Sequence, residues 1–189
     1  MNIGVIALQG DFSNHRDALT RLGFKSSLVK NTKEIESVDG LVIPGGESTT
    51  LLKLSSEEFR HALSMKIKSG CPTLATCAGI ILIAKEVTSP NQESLSLLDV
   101  TVQRNGYGRQ VDSFIEENLV CNVFGGASKT IEAVFIRAPR ITKTGTGVTV
   151  LAEHKSDPVL VKQGAIVGAT FHPELSVTDD FVFELAFRQ

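Results

Sequence analysis

The segment Pro72-Thr73-Leu74-Ala75-Thr76-Cys77-Ala78-Gly79 constrains this chain more than any other. A short apolar run is closed by small residues, a thiol and a glycine, and Ile80-Ile81-Leu82-Ile83-Ala84-Lys85 follows as a stretch suited to a helix. That order of residue types fits a nucleophile elbow, a tight strand-to-helix turn that pushes one side chain out at the carboxyl edge of a sheet. Its neighbours must be small, because the backbone of the nucleophile is strained and a reacting carbonyl approaches it closely.

The first half of the chain alternates strand and helix signals. Strands are expected at Ile3 to Leu8, Lys25 to Val29, Asp39 to Ile43 and Pro72 to Thr76, and helices at Ser13 to Leu22, Ser48 to Leu54 and Glu57 to Ser69. Gly70 stops the last of these, with Pro72 just beyond. Strands separated by helices of this length predict an open, mostly parallel sheet with helices on both faces, an α/β fold. The second half reads differently. Val100 to Val102, Leu119 to Val123, Ile131 to Ile136, Val148 to Glu153, Pro158 to Val161 and Ala165 to Phe171 are strand-like, with turns at Gly125-Gly126, Gly145-Thr146-Gly147 and Lys162-Gln163-Gly164. They predict antiparallel strands added in the C-terminal half, then a closing helix over Thr178 to Phe187. With no repeat, low-complexity tract or linker, residues 1–189 read as one domain.

Composition narrows the function classes. A net charge of -2, from 19 basic and 21 acidic residues without long runs of either sign, gives no nucleic-acid footprint and no polybasic membrane patch. The apolar start Ile3 to Leu8 lacks a basic leader and is too short to span a membrane. The three cysteines, Cys71, Cys77 and Cys121, form no paired-ligand spacing and point to a reducing compartment, the cytoplasm. The histidines at 15, 61, 154 and 172 are scattered, so neither a metal site nor a bound cofactor is expected.

Attack on an amide or ester carbonyl needs a thiolate, a base that takes and returns a proton, and donors for the developing oxyanion. Cys77 sits at a helix N-terminus, where a thiolate beside an imidazole is favoured. Phe171-His172-Pro173-Glu174 offers a base in His172 and a carboxylate in Glu174 to orient it. Donors are expected from the N–H of Ala78 and from the Gly45-Gly46 turn after a strand end. These pieces all fall at carboxyl ends of expected strands, where open α/β sheets place their sites. Cys71 and Cys121 read as inert packing residues, His15, His61 and His154 as surface or helix-face histidines, and Asp11 as a helix cap.

These residues resemble the triad-type (class I) glutamine amidotransferases. Further segments, Leu8-Gln9-Gly10-Asp11, Pro44-Gly45-Gly46-Glu47-Ser48-Thr49-Thr50, Arg104-Asn105-Gly106-Tyr107-Gly108-Arg109-Gln110 and Phe135-Ile136-Arg137-Ala138-Pro139, are similar to the branch of glutaminase subunits of two-protein pyridoxal 5'-phosphate synthases. The resemblance implies that Cys77 forms a γ-glutamyl thioester from L-glutamine and releases ammonia. His172 would protonate the leaving group and then activate water, while Glu174 holds the imidazole. It implies that Gly46, Glu47, Ser48, Arg104, Ile136 and Arg137 line the glutamine site, and that Gln9 lies near the oxyanion hole and the partner contact. A surface ion pair remains the other reading of each arginine, and a helix N-terminal acid the other reading of Glu47.

The chain shows no phosphate-binding loop and no spare length for an ammonia acceptor. A separate synthase subunit, a (β/α)8 barrel in that family, is therefore expected to dock over the site in a heteromeric complex. The resemblance further implies that the glutaminase alone is weakly active until docking arranges the oxyanion hole by reorienting the Gly45-Gly46 peptide. Three alternatives share parts of this pattern: a glutaminase subunit of another amidotransferase, a cysteine hydrolase or stress protein on a similar sheet, and a binding module with a dead triad.

Overall fold

The computed structural model describes residues 1–104, 106, 113–122, 126, 128–176 and 180–188. The chain begins β1 (Asn2–Ile6), α1 (Phe12–Arg21), β2 (Lys25–Val29), α2 (Thr32–Glu36) and β3 (Gly40–Ile43). Helices α3 (Ser48–Leu54) and α4 (Glu57–Lys68) lead to β4 (Thr73–Thr76) and α5 (Ala78–Ile83). Strands then follow: β5 (Ala84–Thr88), β6 (Leu98–Gln103), β7 (Phe114–Asn122), β8 (Ser128–Phe135), β9 (Arg140–Thr144), β10 (Thr149–His154), β11 (Asp157–Gln163) and β12 (Ile166–Ala169). A 3₁₀ turn at Pro173–Leu175 and α6 (Phe181–Phe187) complete the order.

Nine strands form one sheet in the order β2-β1-β3-β4-β12-β11-β10-β7-β8. From β2 to β12 every pairing is parallel. From β12 to β8 every pairing is antiparallel. The α/β architecture expected from the sequence is thus the one observed, including the change of character in the second half. β4, the strand that delivers Cys77, lies at the centre between β3 and β12, and all four of its residues are buried.

Successive side chains of a strand point to opposite faces, so each parallel strand feeds two cores. Ile3, Val5, Val42 and Leu74 join Ala18 and Leu19 of α1 and Val182, Phe183 and Ala186 of α6 on one face. Ile6, Leu41, Ile43 and Ala75 join Ile35 of α2, Leu51 of α3, Leu63 of α4 and Ile80 of α5 on the other. That second face is also closed by a small separate sheet, β5-β6-β9. In β6 the alternation is complete, with Leu98, Val100 and Val102 buried and the intervening residues partly exposed.

Several elements differ from the sequence reading, β5 among them. α2 is unexpected, although Asn31 and Glu34 form a capping box at its start, a local signal that suffices for a five-residue helix. The helix after Cys77 ends at Ile83, before Lys85, because Ala84 turns to extended backbone and begins β5. β9 was also not expected; it pairs antiparallel with β6 and exposes all but one of its residues, which hides its hydrophobic signal. The expectations on Val123, Gly125 and Thr178, and on positions 105 and 107–110 of the Arg104-to-Gln110 segment, lie outside the described residues.

Gly79 is the tightest point between the elbow and the sheet. A β-carbon there would stand 2.1 Å from the carbonyl oxygen of Ile43, so the first turn of α5 lies directly on the end of β3. Backbone cannot yield as a flexible side chain does. Gly79→Ala is therefore expected to destabilise the protein by about 2–3 kcal/mol, read as a lowered urea midpoint at unchanged slope.

Candidate active site

Three chain turns meet at the carboxyl edge of the central strands. The first is the elbow between β4 and α5, where Cys77 adopts φ 48° and ψ −108°. Few side chains tolerate a positive φ, and holding one costs on the order of 1–3 kcal/mol. The surroundings enforce it. The Cys77 N–H donates to Ala169 O at 2.9 Å and its carbonyl accepts from Ile80 N–H at 3.2 Å. The thiol, on a residue only 6% exposed, lies 4.0 Å from the carbonyl oxygen of Ile136.

The second turn follows β12 and carries His172 and Glu174. The His172 N–H donates to Val134 O of β8 at 2.8 Å, so the far edge strand of the sheet clamps the turn. His172 Nδ1 and Glu174 Oε1 are 2.7 Å apart, and Glu174 is 3% exposed within the 3₁₀ turn that Pro173 opens. Burial disfavours the imidazolium, but hydrogen bonds to Cys77 and Glu174 outweigh it and push the His172 pKa up to about 10. Burial also works against the Glu174 carboxylate. The histidines at 15 and 172 overcome this and hold it below the ordinary range. Thiol, imidazole and buried carboxylate thus stand together, with His172 bonded to Glu174 and with Cys77 in the same cleft, a set suited to attack on a carbonyl and protonation of what leaves.

The third turn is Pro44 to Glu47 after β3. Gly45 packs so closely that a β-carbon on it would lie 2.6 Å from His172 Cε1 and 3.1 Å from Cys77 Cβ. Gly46, at φ 142°, faces the carboxamide of Gln9, whose Oε1 accepts the Glu47 N–H at 3.1 Å. Glu47 caps α3, accepting from Thr49 N–H at 3.1 Å and Thr50 N–H at 2.7 Å. Hydrogen bonds from the Thr49 hydroxyl first, and with it the Thr50 hydroxyl and both amides, outweigh the opposing effect of burial and lower its pKa to about 2. Helix cap and cleft wall are therefore the same residue.

One cleft of about 160 Å³ joins these turns. Gly46, Glu47, Ser48, Arg104, Ile136 and Arg137, all expected from the sequence, line it together with Cys77, Ala78 and His172. Ile81 and Pro139 also line it; Pro139 closes the Phe135-to-Pro139 segment read from the sequence but has no site role there, and Ile81 reads only as part of a helix. Arg104 stands 3.4 Å from Glu47 Oε1, so its ion pair lies inside the cleft. Arg137 follows the end of β8 with φ 44° and is exposed. A cleft with two guanidinium groups, one carboxylate and apolar walls suits a small zwitterion carrying its own carboxylate and ammonium.

The Gly45 N–H donates to Thr76 Oγ1 at 3.1 Å, a bond that a reorientation of the Gly45-Gly46 peptide would have to break. Three expectations need correction. His15, expected at the surface or on a helix face, does lie on a face of α1 but is fully buried, with Nε2 3.2 Å from Thr76 Oγ1 and 3.4 Å from Glu174 Oε2. His154 is buried too, 3.3 Å from Glu116 Oε2 and in ring contact with Phe114 and Phe135. Asp11 occupies the N-cap position of α1, yet its carboxylate accepts from Asn14 Nδ2 at 2.6 Å and not from a helix amide. Cys71 and Cys121 are buried as expected, and burial pushes the Cys71 thiol pKa up.

A sequence model described as the SNO glutamine amidotransferase family matches residues 5–189. The pyridoxal 5'-phosphate synthase subunit PdxT of Thermotoga neapolitana is 50% identical over 181 residues, 95% of this chain and 94% of that protein. PdxT of Koribacter versatilis is 48% identical, over 100% of this chain and 95% of its own. A crystal structure described as a glutamine amidotransferase superposes with a TM-score of 0.85 at 42% identity, over 97% of this chain and 98% of the other. PurLQS from Thermotoga maritima, at 16% identity and a TM-score of 0.72, shares the fold.

The pKa of His172 fixes the sign of a pH effect. Its folded value of about 10 exceeds the ordinary 6.5, so its protonation stabilises the fold fully below pH 6.5 and ever less as pH rises toward 10. The stability advantage of the protein over His172→Asn, measured by urea unfolding, is expected to shrink across that window. In Cys77→Ala one of the raising contacts is lost, and an NMR titration of His172 is expected to give a lower midpoint.

Proposed function

Because the chain belongs to the SNO glutamine amidotransferase family, we propose that it hydrolyses L-glutamine to L-glutamate and ammonia and hands the ammonia to a synthase subunit that makes pyridoxal 5'-phosphate. Relatives of nearly equal length named as subunits of that synthase support the assignment. The observation that carries it is the cleft itself, which gathers Cys77, His172 and every expected glutamine-site residue into one wall. These relatives favour this reading over another amidotransferase branch or a cysteine hydrolase.

The proposed cycle begins with glutamine in the cleft, its α-carboxylate toward Arg104 and Arg137 and its α-ammonium toward Glu47. The Cys77 thiolate attacks the side-chain carbonyl, and the oxyanion is met by the amides of Gly46 and Ala78, the latter an orphan donor at the start of α5. Collapse breaks the C–N bond as His172, held by Glu174, gives its proton to the departing nitrogen. Ammonia and a γ-glutamyl thioester result. His172, now neutral, takes a proton from water; the hydroxide attacks the thioester, and glutamate leaves as the thiolate returns. Each turnover restores the thiolate–imidazolium pair.

The partner in this reading is a (β/α)8 barrel that covers the open cleft and receives the ammonia. Pyridoxal phosphate is then the product of the complex and not a cofactor of this chain. The hydrogen bond that ties the Gly45 amide to Thr76 supports weak activity in isolation, since the turn must rearrange before that amide can serve an oxyanion.

A glutamine-mimicking diazoketone is expected to inactivate the chain with a mass adduct on the Cys77 peptide, and Cys77→Ala to abolish glutamate release. Adding the synthase subunit is expected to raise the rate by an order of magnitude or more, the scale of gaining an oxyanion donor being about 100-fold. Equal rates with and without it would remove docking activation, and an adduct elsewhere would remove the cysteine mechanism.

A further inference from the structure

His15 has no role in the cycle above, yet it is fully buried on the inner side of α1 against the back of the site. Its Nε2 faces two oxygens at once, Thr76 Oγ1 at 3.2 Å and Glu174 Oε2 at 3.4 Å. A carboxylate only accepts, so the nitrogen that faces it carries the proton. We infer that His15 is a positioning residue, whose Nε2–H, shared between Thr76 and Glu174, fixes both the carboxylate that orients His172 and the hydroxyl that holds the Gly45 amide. The inference rests on the glutaminase reading for its catalytic consequence and on geometry alone for the contacts.

The connections form a closed path. Glu174 gives Oε1 to His172 Nδ1 at 2.7 Å and turns Oε2 toward His15. Among the described residues Oε2 meets no hydrogen-bond partner of full geometry, and His15 Nε2 at 3.4 Å is the polar group that faces it. Thr76 Oγ1 meets His15 on one side and accepts the Gly45 N–H at 3.1 Å on the other. Gly45 in turn lies against the ring of His172 and the β-carbon of Cys77. One imidazole therefore stands between the base side of the site and the turn that faces it.

Its setting suits that duty. The ring packs edge-on against Phe183 of α6, with centroids 5.7 Å apart, so it cannot swing. Burial, the largest influence, lowers the pKa of His15 against the opposing pull of the Glu174 carboxylate. A buried donor that orients a catalytic carboxylate acts through geometry, where an error of about 1 Å costs on the order of 100-fold in rate.

The test compares three variants of the full chain by glutamate release and by alkylation of Cys77 with iodoacetamide near neutral pH. His15→Phe fills the space without a donor, His15→Gln returns an N–H near the place of Nε2, and Thr76→Val removes the shared hydroxyl. Expected are a fall in kcat of about 10- to 100-fold for His15→Phe with KM for glutamine little changed, a loss of alkylation rate in both His15→Phe and Thr76→Val, and recovery of most of kcat and alkylation in His15→Gln. Thr76→Val is judged by alkylation alone, because it also frees the Gly45 amide. Native kcat and alkylation in His15→Phe would overturn the inference. So would a His15→Gln chain as impaired as His15→Phe, since packing alone would then explain the loss. If His15→Phe fails to give a cooperative thermal transition, Thr76→Val and His15→Gln decide by the same criteria. A native chain that is alkylated at Cys77 but releases no glutamate even with the synthase subunit added would sink the glutaminase reading, while the alkylation comparison still judges His15.

Discussion

The backbone of Cys77 is the constraint from which the rest of the structure follows. A positive φ on a residue with a β-carbon persists only where its surroundings leave no alternative. Here the amide is fixed to β12, the carbonyl caps the first turn of α5, and Gly79 sits on the end of β3. All six residues of α5 are buried, so the helix cannot slide to relieve the strain. The strain is local, but what sustains it is the centre of the nine-stranded sheet. Damage to the packing of β3, β4 or β12 would reach the sulfur without touching any residue of the cleft.

The antiparallel half of the sheet has a matching purpose. β8 is the strand farthest from β2 in the sheet order, yet its Val134 carbonyl binds the amide of His172 and its end delivers Ile136 and Arg137 to the cleft. The sheet therefore curls until its outer edge returns to its centre. Parallel strands supply the proposed nucleophile and the proposed oxyanion donors; the returning edge supplies a clamp for the base and a wall for the substrate. Neither half makes a site without the other.

The sequence made the site more legible than the frame around it. Cys77, His172, Glu174 and the Pro44-to-Ser48 turn announce themselves because their chemistry demands fixed short spacings, and spacing survives in one dimension. β4 and β12 read clearly as short apolar runs bounded by turns. β9 did not, because four of its five residues are exposed and its pairing with β6 is settled by tertiary contact. His15 was misread for a related reason. A lone histidine on a mostly polar ten-residue helix looks like surface, and nothing nearby reveals that its face of α1 meets Glu174, far along the chain. The gap is physical: local propensity cannot report a polar contact made by two elements that meet only in the folded state.

Burial divides the cleft into two parts with different freedoms. His15, Thr76, His172 and Glu174 are all buried and bound to one another, and buried polar networks of this kind hold a single geometry because any broken link leaves an uncompensated group. Glu47 and Arg137 are exposed, and the Gly45-Gly46 turn is held to the buried part through one amide. In the proposed enzyme, proton transfer is thus assembled before any partner arrives, whereas oxyanion binding depends on a turn that a docking surface can reach. A glutaminase that must not waste ammonia gains from that division. The expensive, buried half is built by the fold once, and the inexpensive, exposed half is left for the ammonia acceptor to complete.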